Sequence, residues 1–407
     1  MLDDTSRRDR NRQIVLFFMG AGLLAMTGAI FDSTFANYLD HRFGIDAAQR
    51  GRLEFPREFP GLAVTLLAGV LLFLPEVRVA AVAAGCAALG MLGLAFFSPT
   101  YGSMIGWMVL LSTGTHLIMP VQGAVVVGFA NPGRQGKRLG QLGMATTTAG
   151  LLACLLVWLI LRGNSHHFRS TFLIGMCLAA VAAVPFLIMR PHTPHNPDRP
   201  KLVFRRRYWL FYVLCALFGA RKQIFLTFGP WVIITIFHKP ASTIALLLFV
   251  GRLIGVAFKP LLGWLIDKVG PRVVLMADAA VLIAVCLGYA YADHLPGREA
   301  ALAVLYTCYV LDDLLFAAGM ARTVYVARLA PNQEEIVGTL AAGVSINHAV
   351  SMTVPIFGGM LWMASGRPEP VFLVAAGVMA VTFICTLFVR TPTAPTPGVS
   401  RMPNGTG

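Results

Sequence analysis

The chain has 407 residues, of which 57% are hydrophobic and only 13% are charged, and its formal net charge is +14. Soluble domains carry about 25% charged residues, so this composition excludes an ordinary soluble domain and predicts a protein whose surface faces lipid. The lysines and arginines fall mostly in short segments between apolar runs and not in a basic stripe. We therefore expect membrane lipid, and no nucleic acid, among its partners.

Twelve apolar stretches reach or approach the roughly 20 residues that a helix needs to span a bilayer. They cover residues 14–39, 53–74, 78–97, 101–130, 138–161, 169–189, 208–237, 240–266, 272–291, 299–329, 335–363 and 369–389. The second stretch is the weakest, because Glu54, Arg57 and Glu58 fall inside it. The sequence predicts an all-α membrane protein with twelve transmembrane helices.

The basic residues between these stretches predict the orientation of the chain. Of the 33 lysines and arginines, 19 lie in segments on the side of the amino terminus and 9 on the opposite side. Because cytoplasmic loops are enriched in lysine and arginine, we expect both termini to be cytoplasmic and the protein to lie in the inner membrane. We also expect a monomer.

A polar, proline-rich segment divides the chain into two nearly equal parts. The boundaries predict a tail at 1–13, a six-helix bundle at 14–189, a basic linker at 190–207, a second six-helix bundle at 208–389 and a tail at 390–407. Many transporters are built from such repeats, with the binding site at their interface. The seven cysteines lie inside apolar runs without a Cys-x-x-Cys pair, so they indicate buried hydrophobic residues and no metal site.

The connection between the eighth and ninth stretches carries the most informative motif. It reads GWLIDKVGPRVVL, from Gly263 to Leu275, and resembles the cytoplasmic loop signature of the major facilitator superfamily. The residues that match the signature are Gly263, Asp267, Lys268, Gly270 and Arg272. Gly263 is expected to permit close helix approach, Asp267 to end the helix, and Gly270 to form a turn with Pro271.

Two further stretches are similar to the same superfamily. They are YLDHRFGIDAAQRGRLEF after the first span and PIFGGMLW in the eleventh. The counterpart loop in the first half, LLFLPEVRV, lacks the aspartate-basic-glycine core, and the fourth span has His116 where an arginine is often found. The resemblance implies a fold of two pseudo-symmetric six-helix bundles, with helices 1, 4, 7 and 10 lining a central cavity.

Ionisable residues inside a bilayer are costly unless paired or hydrated, so each is a functional candidate. The substrate-binding candidates, by the resemblance and by depth along the helices, are His116, Gln122, Arg221, Lys222, Arg252, Asp312, Asp313, Asn347 and His348. The candidates in the second half are predicted to form one cluster at mid-depth. One residue of Arg221 and Lys222, and one of Asp312 and Asp313, can instead contact a partner elsewhere. Structural salt bridges are an equal alternative for Arg252 with Asp312 or Asp313, and Lys259 with Asp278 is interpreted as a structural pair.

Asp32 is the first candidate for proton or cation coupling, with Thr34 and Asn37 expected to supply hydrogen bonds. His116 and Asp312 are further candidates, because a histidine or a desolvated carboxylate can titrate near neutral pH. The gating candidates are Gly263, Asp267, Lys268, Gly270, Arg272, Arg322, Arg328, Glu334, Glu335, Glu54, Arg57 and Glu58. Of these, Glu54, Arg57 and Glu58 are predicted near the outer membrane surface, where a plain charged helix start is an equal alternative.

The favoured hypothesis is a secondary carrier that moves a small solute by alternating access, without a cofactor. The arginines among the candidates favour an organic anion or zwitterion, and a proton moved with the solute is one form of this hypothesis. The alternatives are efflux of amphipathic drugs or lipids, and, from another class, a membrane-embedded sensor, scaffold or enzyme. No ATP-binding motif or nucleophile constellation supports an enzyme.

Overall fold

The computed structural model describes residues 2–66, 74–129, 135–162, 167–190, 204–331 and 333–390, and all regular structure in these ranges is helical. The helices are α1 (Leu2–Phe43), α2 (Ala47–Arg52), α3 (Glu54–Leu66), α4 (Glu76–Phe96), α5 (Tyr101–Gly128), α6 (Gln135–Leu161), α7 (Phe168–Ile188), α8 (Trp209–Thr235), α9 (Ala241–Val269), α10 (Pro271–Ala290), α11 (Arg298–Leu315), α12 (Gly319–Leu329), α13 (Gln333–Ser365) and α14 (Glu369–Leu387). Short 3-10 turns precede α8 and join α11 to α12.

Eleven helical stretches within the described ranges are long and apolar enough to cross a membrane. They match eleven of the twelve predicted spans, with α11 and α12 together forming the tenth. The second predicted span corresponds to α2 and α3, which are described only as far as Leu66. Many large apolar side chains on these helices are exposed, such as Phe357 at 68% and Phe388 at 62%. Such an exterior is stable against lipid and not against water.

Two helices begin before the predicted spans to which they belong. The segment predicted as a tail at 1–13 is helical from Leu2, where α1 begins. The helical structure of the second predicted span begins at Ala47 and not at residue 53, because Asp46 and Gln49 form a reciprocal capping box that starts α2. The proposed linker is described only from residue 204, and the carboxyl-terminal tail lies outside the described residues beyond 390.

The helices pack as two halves related by a six-helix repeat. In the first half α1 packs on α6 and α7, and α4 on α5 and α7; in the second half α8 packs on α13, and α10 on α14. Across the halves, α2 and α3 pack on α13, while α6 packs on α9. These two contacts join span 2 to span 11 and span 5 to span 8. They are equivalent under a six-helix repeat, because span 2 of the first half corresponds to span 8 of the second, and span 5 corresponds to span 11. The fold is therefore two pseudo-symmetric bundles, as predicted.

The two halves meet closely at the ends opposite the termini, called here the outer ends. Gly51 of α2 lies against the Pro355 carbonyl of α13, and Gly359 lies against Ala47, where a side chain on either glycine would collide with backbone. The Asn37 amide donates to the Lys239 carbonyl across the same contact, at 3.0 Å. At the inner ends, the second half has a hydrophobic cluster of its own residues, around Tyr208, Leu262 and Tyr325. The described contacts therefore close the outer ends.

Candidate functional site

A cavity of about 310 Å³ lies between the halves. Its lining residues come from α6, α9, α11 and the turn that follows α11: Thr146, Thr147, Gly251, Arg252, Gly255, Lys259, Asp313, Leu314, Phe316 and Ala317. Most are small or polar, and two are cations and one is a carboxylate. Such a lining suits a polar solute of modest size.

Asp32 of α1 and Arg252 of α9 face each other across the halves. The Arg252 guanidinium lies 4.0 Å from the Asp32 carboxylate, whose side chain is 55% exposed. Gly150 of α6 provides space for Arg252, because a Cβ at that glycine would overlap the guanidinium. The pair is open to water and is held loosely. Thr34 and Asn37 do not support Asp32 as predicted, since their side chains donate to the carbonyls of Ile30 and Lys239.

Asp313 and Lys259 complete the charged lining of this cavity. The Asp313 carboxylate lies against Gly251, where the missing side chain leaves room for it. Lys259 is exposed and contributes to the electrostatic environment of Asp313. The predicted structural pair between Lys259 and Asp278 is therefore wrong, because Lys259 faces the cavity. The cations that interact electrostatically with Asp278 are Arg221 and Arg322.

Arg221 and Asp312 form a separate, dry ion pair inside the second half. Arg221 Nη2 lies 2.5 Å from Asp312 Oδ1, and the side chains are 2% and 10% exposed. The guanidinium carbon also lies 4.7 Å from the centre of the Phe316 ring and 5.8 Å from that of Phe225. Aromatic faces stabilise a desolvated cation. The cation faces protein groups on every described side and is not open to the cavity.

Lys222, the neighbour of Arg221, belongs to a third group of charged side chains. Its ammonium lies 3.3 Å from the Glu58 carboxylate of α3, which also accepts a hydrogen bond from Nδ1 of His348 at 3.0 Å. The His348 ring lies 5.0 Å from that of His116, at a steep angle. Gly61 permits this approach, because a side chain there would collide with both rings. The residues predicted to form one mid-depth cluster therefore lie in three separate groups. Two of these groups join the halves.

Glu54 is buried in the contact between the halves. It forms ion pairs with Arg50 and with Arg57, the latter at 2.7 Å, and it accepts a hydrogen bond from Gln223 of α8 at 2.5 Å. At 1.5 Å per residue, Glu54 and Glu58 lie about 10 to 16 Å along α2 and α3 from the helix start at Ala47. Their position near the outer membrane surface stays a prediction, and the join that these residues make between the halves is compatible with the predicted gating.

Gln122 and Asn347 show no charged contact. Gln122 is half-buried on α5, and Asn347 of α13 accepts a hydrogen bond from Ser351 at 3.2 Å while its backbone lies against Gly219. Asn347 therefore supports the packing of α13 on α8.

The loop motif forms the turn between α9 and α10. Gly270 has a φ of +86° and Pro271 begins α10, as expected for a turn that needs glycine. Asp267 does not end the helix, because α9 continues to Val269. Gly263 makes no close helix approach, since a Cβ there would meet nothing within 4 Å. The exposed Lys268 lies over the ring of Trp264 at 4.6 Å, and Arg272 is exposed.

The remaining gating candidates lie in the second half. Arg322 stacks on Phe218, with its guanidinium carbon 3.6 Å from the ring centre. Arg328 lies near Gly270. Glu335 forms ion pairs with Arg205 and Arg207 and accepts a hydrogen bond from Tyr208. The side chain of Glu334 lies outside the described residues.

Sequence reasoning missed the uncharged lining residues of the cavity and one bridging residue. Thr146, Thr147 and Gly251 are among the missed lining residues, and Gln223 reaches Glu54 across the halves. The threonines carry no charge and therefore gave no signal. The Asp46–Gln49 capping box was a readable signal for the correct start of the second span.

The fold and the cavity between two helical halves are typical of a multi-pass membrane transporter. A family model described as Major Facilitator Superfamily matches residues 17–334, and the chain belongs to this superfamily. No curated protein matches the sequence significantly.

Solved structures of transporters share the fold at low sequence identity. A mutant form of the nucleoside transporter NupG has a TM-score of 0.77 at 15% identity, covering 93% of this chain and 99% of that one. A D-xylose-proton symporter has a TM-score of 0.71 at 15% identity, covering 93% and 97%. An inward-facing bacterial homolog to the human lysosomal transporter Spinster has a TM-score of 0.68 at 13% identity, covering 94% and 95%.

Proposed function

We propose that this protein is a secondary carrier that moves a small anionic or zwitterionic organic solute by alternating access. The observation that carries the proposal is the open, loose pair of Asp32 and Arg252 at the cavity between the halves. A contact of 4.0 Å in a hydrated space contributes little to stability, about 0–1 kcal/mol. Its partners are therefore available to a solute.

The charges of the site favour a solute with a carboxylate or phosphate group. Two cations, Arg252 and Lys259, face two carboxylates, Asp32 and Asp313. Arginine binds such groups in a bidentate manner, while a carboxylate suits a solute ammonium. A zwitterion would pair with the cations and with the carboxylates of the site. An anion would be favoured when Asp32 carries a proton. This last case is proton-coupled transport.

Two of the structurally similar proteins suggest alternatives for the solute. One is a nucleoside transporter and another moves D-xylose with a proton. Neutral polyols of this kind would use Thr146, Thr147 and the carboxylates, and would not need Lys259. Comparison of solutes therefore distinguishes the proposals.

We further propose that the protein is a monomer in the inner membrane with both termini cytoplasmic. The support is the excess of basic residues on the side of the termini. In this orientation the closed outer ends face away from the cytoplasm, and the cavity is in an inward-facing state.

The test is uptake into proteoliposomes of organic anions, zwitterions, nucleosides, sugars and amphipathic drugs, with and without a pH gradient. We expect an anion or zwitterion to be accumulated, and Arg252→Gln to reduce that uptake at least tenfold. Asp32→Asn is expected to keep exchange of solute but to lose accumulation driven by the pH gradient. Asp293→Asn, in an outer turn, is the matched control. Selective uptake of drugs, or full anion transport by Arg252→Gln, would contradict the proposal.

A further inference from the structure

Four helices from both halves bring titratable side chains together at the outer contact. Glu58 comes from α3, His116 from α5, Lys222 from α8 and His348 from α13. A carboxylate oxygen and one ring nitrogen from each histidine all lie within 4.8 Å of one another. Glu58 and His348 are less than a tenth exposed, and His116 is 9% exposed. We call these four residues the inter-half cluster.

The hydrogen bonds of the cluster define where a proton can be added. His116 Nδ1 donates to the Ser112 carbonyl at 2.8 Å, and His348 Nδ1 donates to Glu58 at 3.0 Å. The His116 ring is therefore complete as a neutral imidazole, and its Nε2 is the atom that can take a further proton. The Ser112 hydroxyl donates to the Arg57 carbonyl and ties α5 to α3.

The charges around the cluster oppose that further proton while the halves are closed. The ionised groups linked by ion pairs are three cations and two carboxylates: Arg50, Arg57, Lys222, Glu54 and Glu58. Asp32, which also influences Arg57, has a side chain that is 55% exposed. Gln223 is the other polar neighbour and is uncharged. A protonated His116 would add a fourth cation, under the influence of Lys222, in a buried place.

From this arrangement we infer that the inter-half cluster is a proton-binding site of the outward-open state, with His116 as the group that takes the proton, and that closure of the outer ends releases it. When α3 and α5 separate from α8 and α13, Lys222 and His348 leave Glu58, and water reaches the His116 imidazole. An imidazole in water takes up a proton near pH 6.5. The open state binds protons that the closed state rejects, so acid on the outer side favours opening.

The same charge count argues against a metal ion in the closed cluster. Two histidines and a carboxylate are a ligand set that zinc accepts. Zinc would however add two positive charges where cations already exceed carboxylates, and Lys222 occupies the carboxylate that it would need. A proton taken up in the open state has no such conflict.

The inference rests on the proposed alternating access, but its test measures a distance and needs no solute. Spin labels are attached at Arg42→Cys and Arg367→Cys, exposed residues at the outer ends of the two halves, with the natural cysteines replaced by alanine. Double electron–electron resonance then reports the ratio of separated to closed outer ends in lipid nanodiscs between pH 8 and pH 5. We expect the ratio to rise at least about tenfold, because His116 can contribute up to about 30-fold over this range.

Variants assign the response to the cluster. His116→Gln is expected to remove most of the pH response, whereas His294→Gln, which changes an exposed histidine in an outer turn, is expected to leave it unchanged. Asp32→Asn should also respond, which separates this site from the proposed coupling residue beside the cavity. An unresponsive parent protein, or a full response in His116→Gln, would overturn the inference. A shift toward the closed distance with zinc chloride at pH 8 would overturn it too.

A pH response of the distances without any accumulation of solute would leave the inference standing and contradict the proposed function. Intact proton-driven transport with pH-independent distances would support the proposed function and contradict the inference. The two proposals can therefore fail separately.

Discussion

Two pairs of opposite charge lie in this protein within one membrane-embedded region, and they differ in almost every physical respect. Arg221 and Asp312 belong to the same half, are 2.5 Å apart and are almost fully buried among aromatic rings. Asp32 and Arg252 belong to different halves, are 4.0 Å apart and are partly open to water. The first pair lies within one half, and the second spans the boundary between the halves.

The difference shows that a pair of opposite charges inside a membrane can have one of two roles. A buried pair within one bundle serves the stability of that bundle, because either partner alone would be an uncompensated charge. A loose, hydrated pair between bundles contributes little to stability and can be exchanged for a solute. The comparison therefore predicts opposite effects of the same kind of substitution.

The largest expected effect is on stability when the buried pair is broken. Arg221→Leu leaves Asp312 without its partner, and we expect a loss of about 3–5 kcal/mol in the free energy of unfolding. Arg221→Leu with Asp312→Leu is expected to recover most of this loss, because no charge stays unpaired. The measurement is unfolding of the purified protein in detergent. A double variant as unstable as the single one would show that the pair itself is required.

A second prediction concerns access of water to the two regions. A thiol at Thr147→Cys, in the cavity lining, is expected to react about 100-fold faster with a small water-soluble reagent than Cys308, which is buried beside Asp312. Reaction rates are compared in the native protein, with each cysteine alone in an otherwise cysteine-free chain. Equal rates would mean that the second region is as wet as the first and would remove the basis of the comparison.

A third prediction is the counterpart of the first at the open pair. Arg252→Gln is expected to change the free energy of unfolding by less than about 1 kcal/mol, because the pair is hydrated and loosely held. The same unfolding measurement applies. A loss comparable to that of Arg221→Leu would identify Arg252 as a structural residue and would weaken its assignment to the solute site.

The smallest expected effect is at Lys259, which lines the cavity but is exposed. Lys259→Gln should raise the KM for an anionic solute about threefold, the equivalent of about 0.6 kcal/mol for one exposed charge. Lys268→Gln, an exposed lysine near the loop turn, is the control. No change in KM would place Lys259 outside the solute site while leaving Arg252 within it.

Adjacent residues show how far sequence reasoning could go at the site. Arg221 and Lys222 lie one residue apart and share a depth, but neighbours on a helix point about 100° apart. Arg221 contacts Asp312 in its own half, and Lys222 contacts Glu58 in the other. Asp312 and Asp313 divide in the same way, between Arg221 and the cavity. The sequence predicted which residues are charged in the membrane and could not predict which partner each one meets.

The sequence by itself determined the helices, their number, the two-half division and the family, because apolar runs and a loop motif are local properties of the chain. Tertiary structure decided the partners of Glu58, Lys259 and Asp278, and which charges are dry and which are wet. The physical reason is that a pairing energy depends on distances between separate helices and on access of water, and neither is a function of sequence spacing.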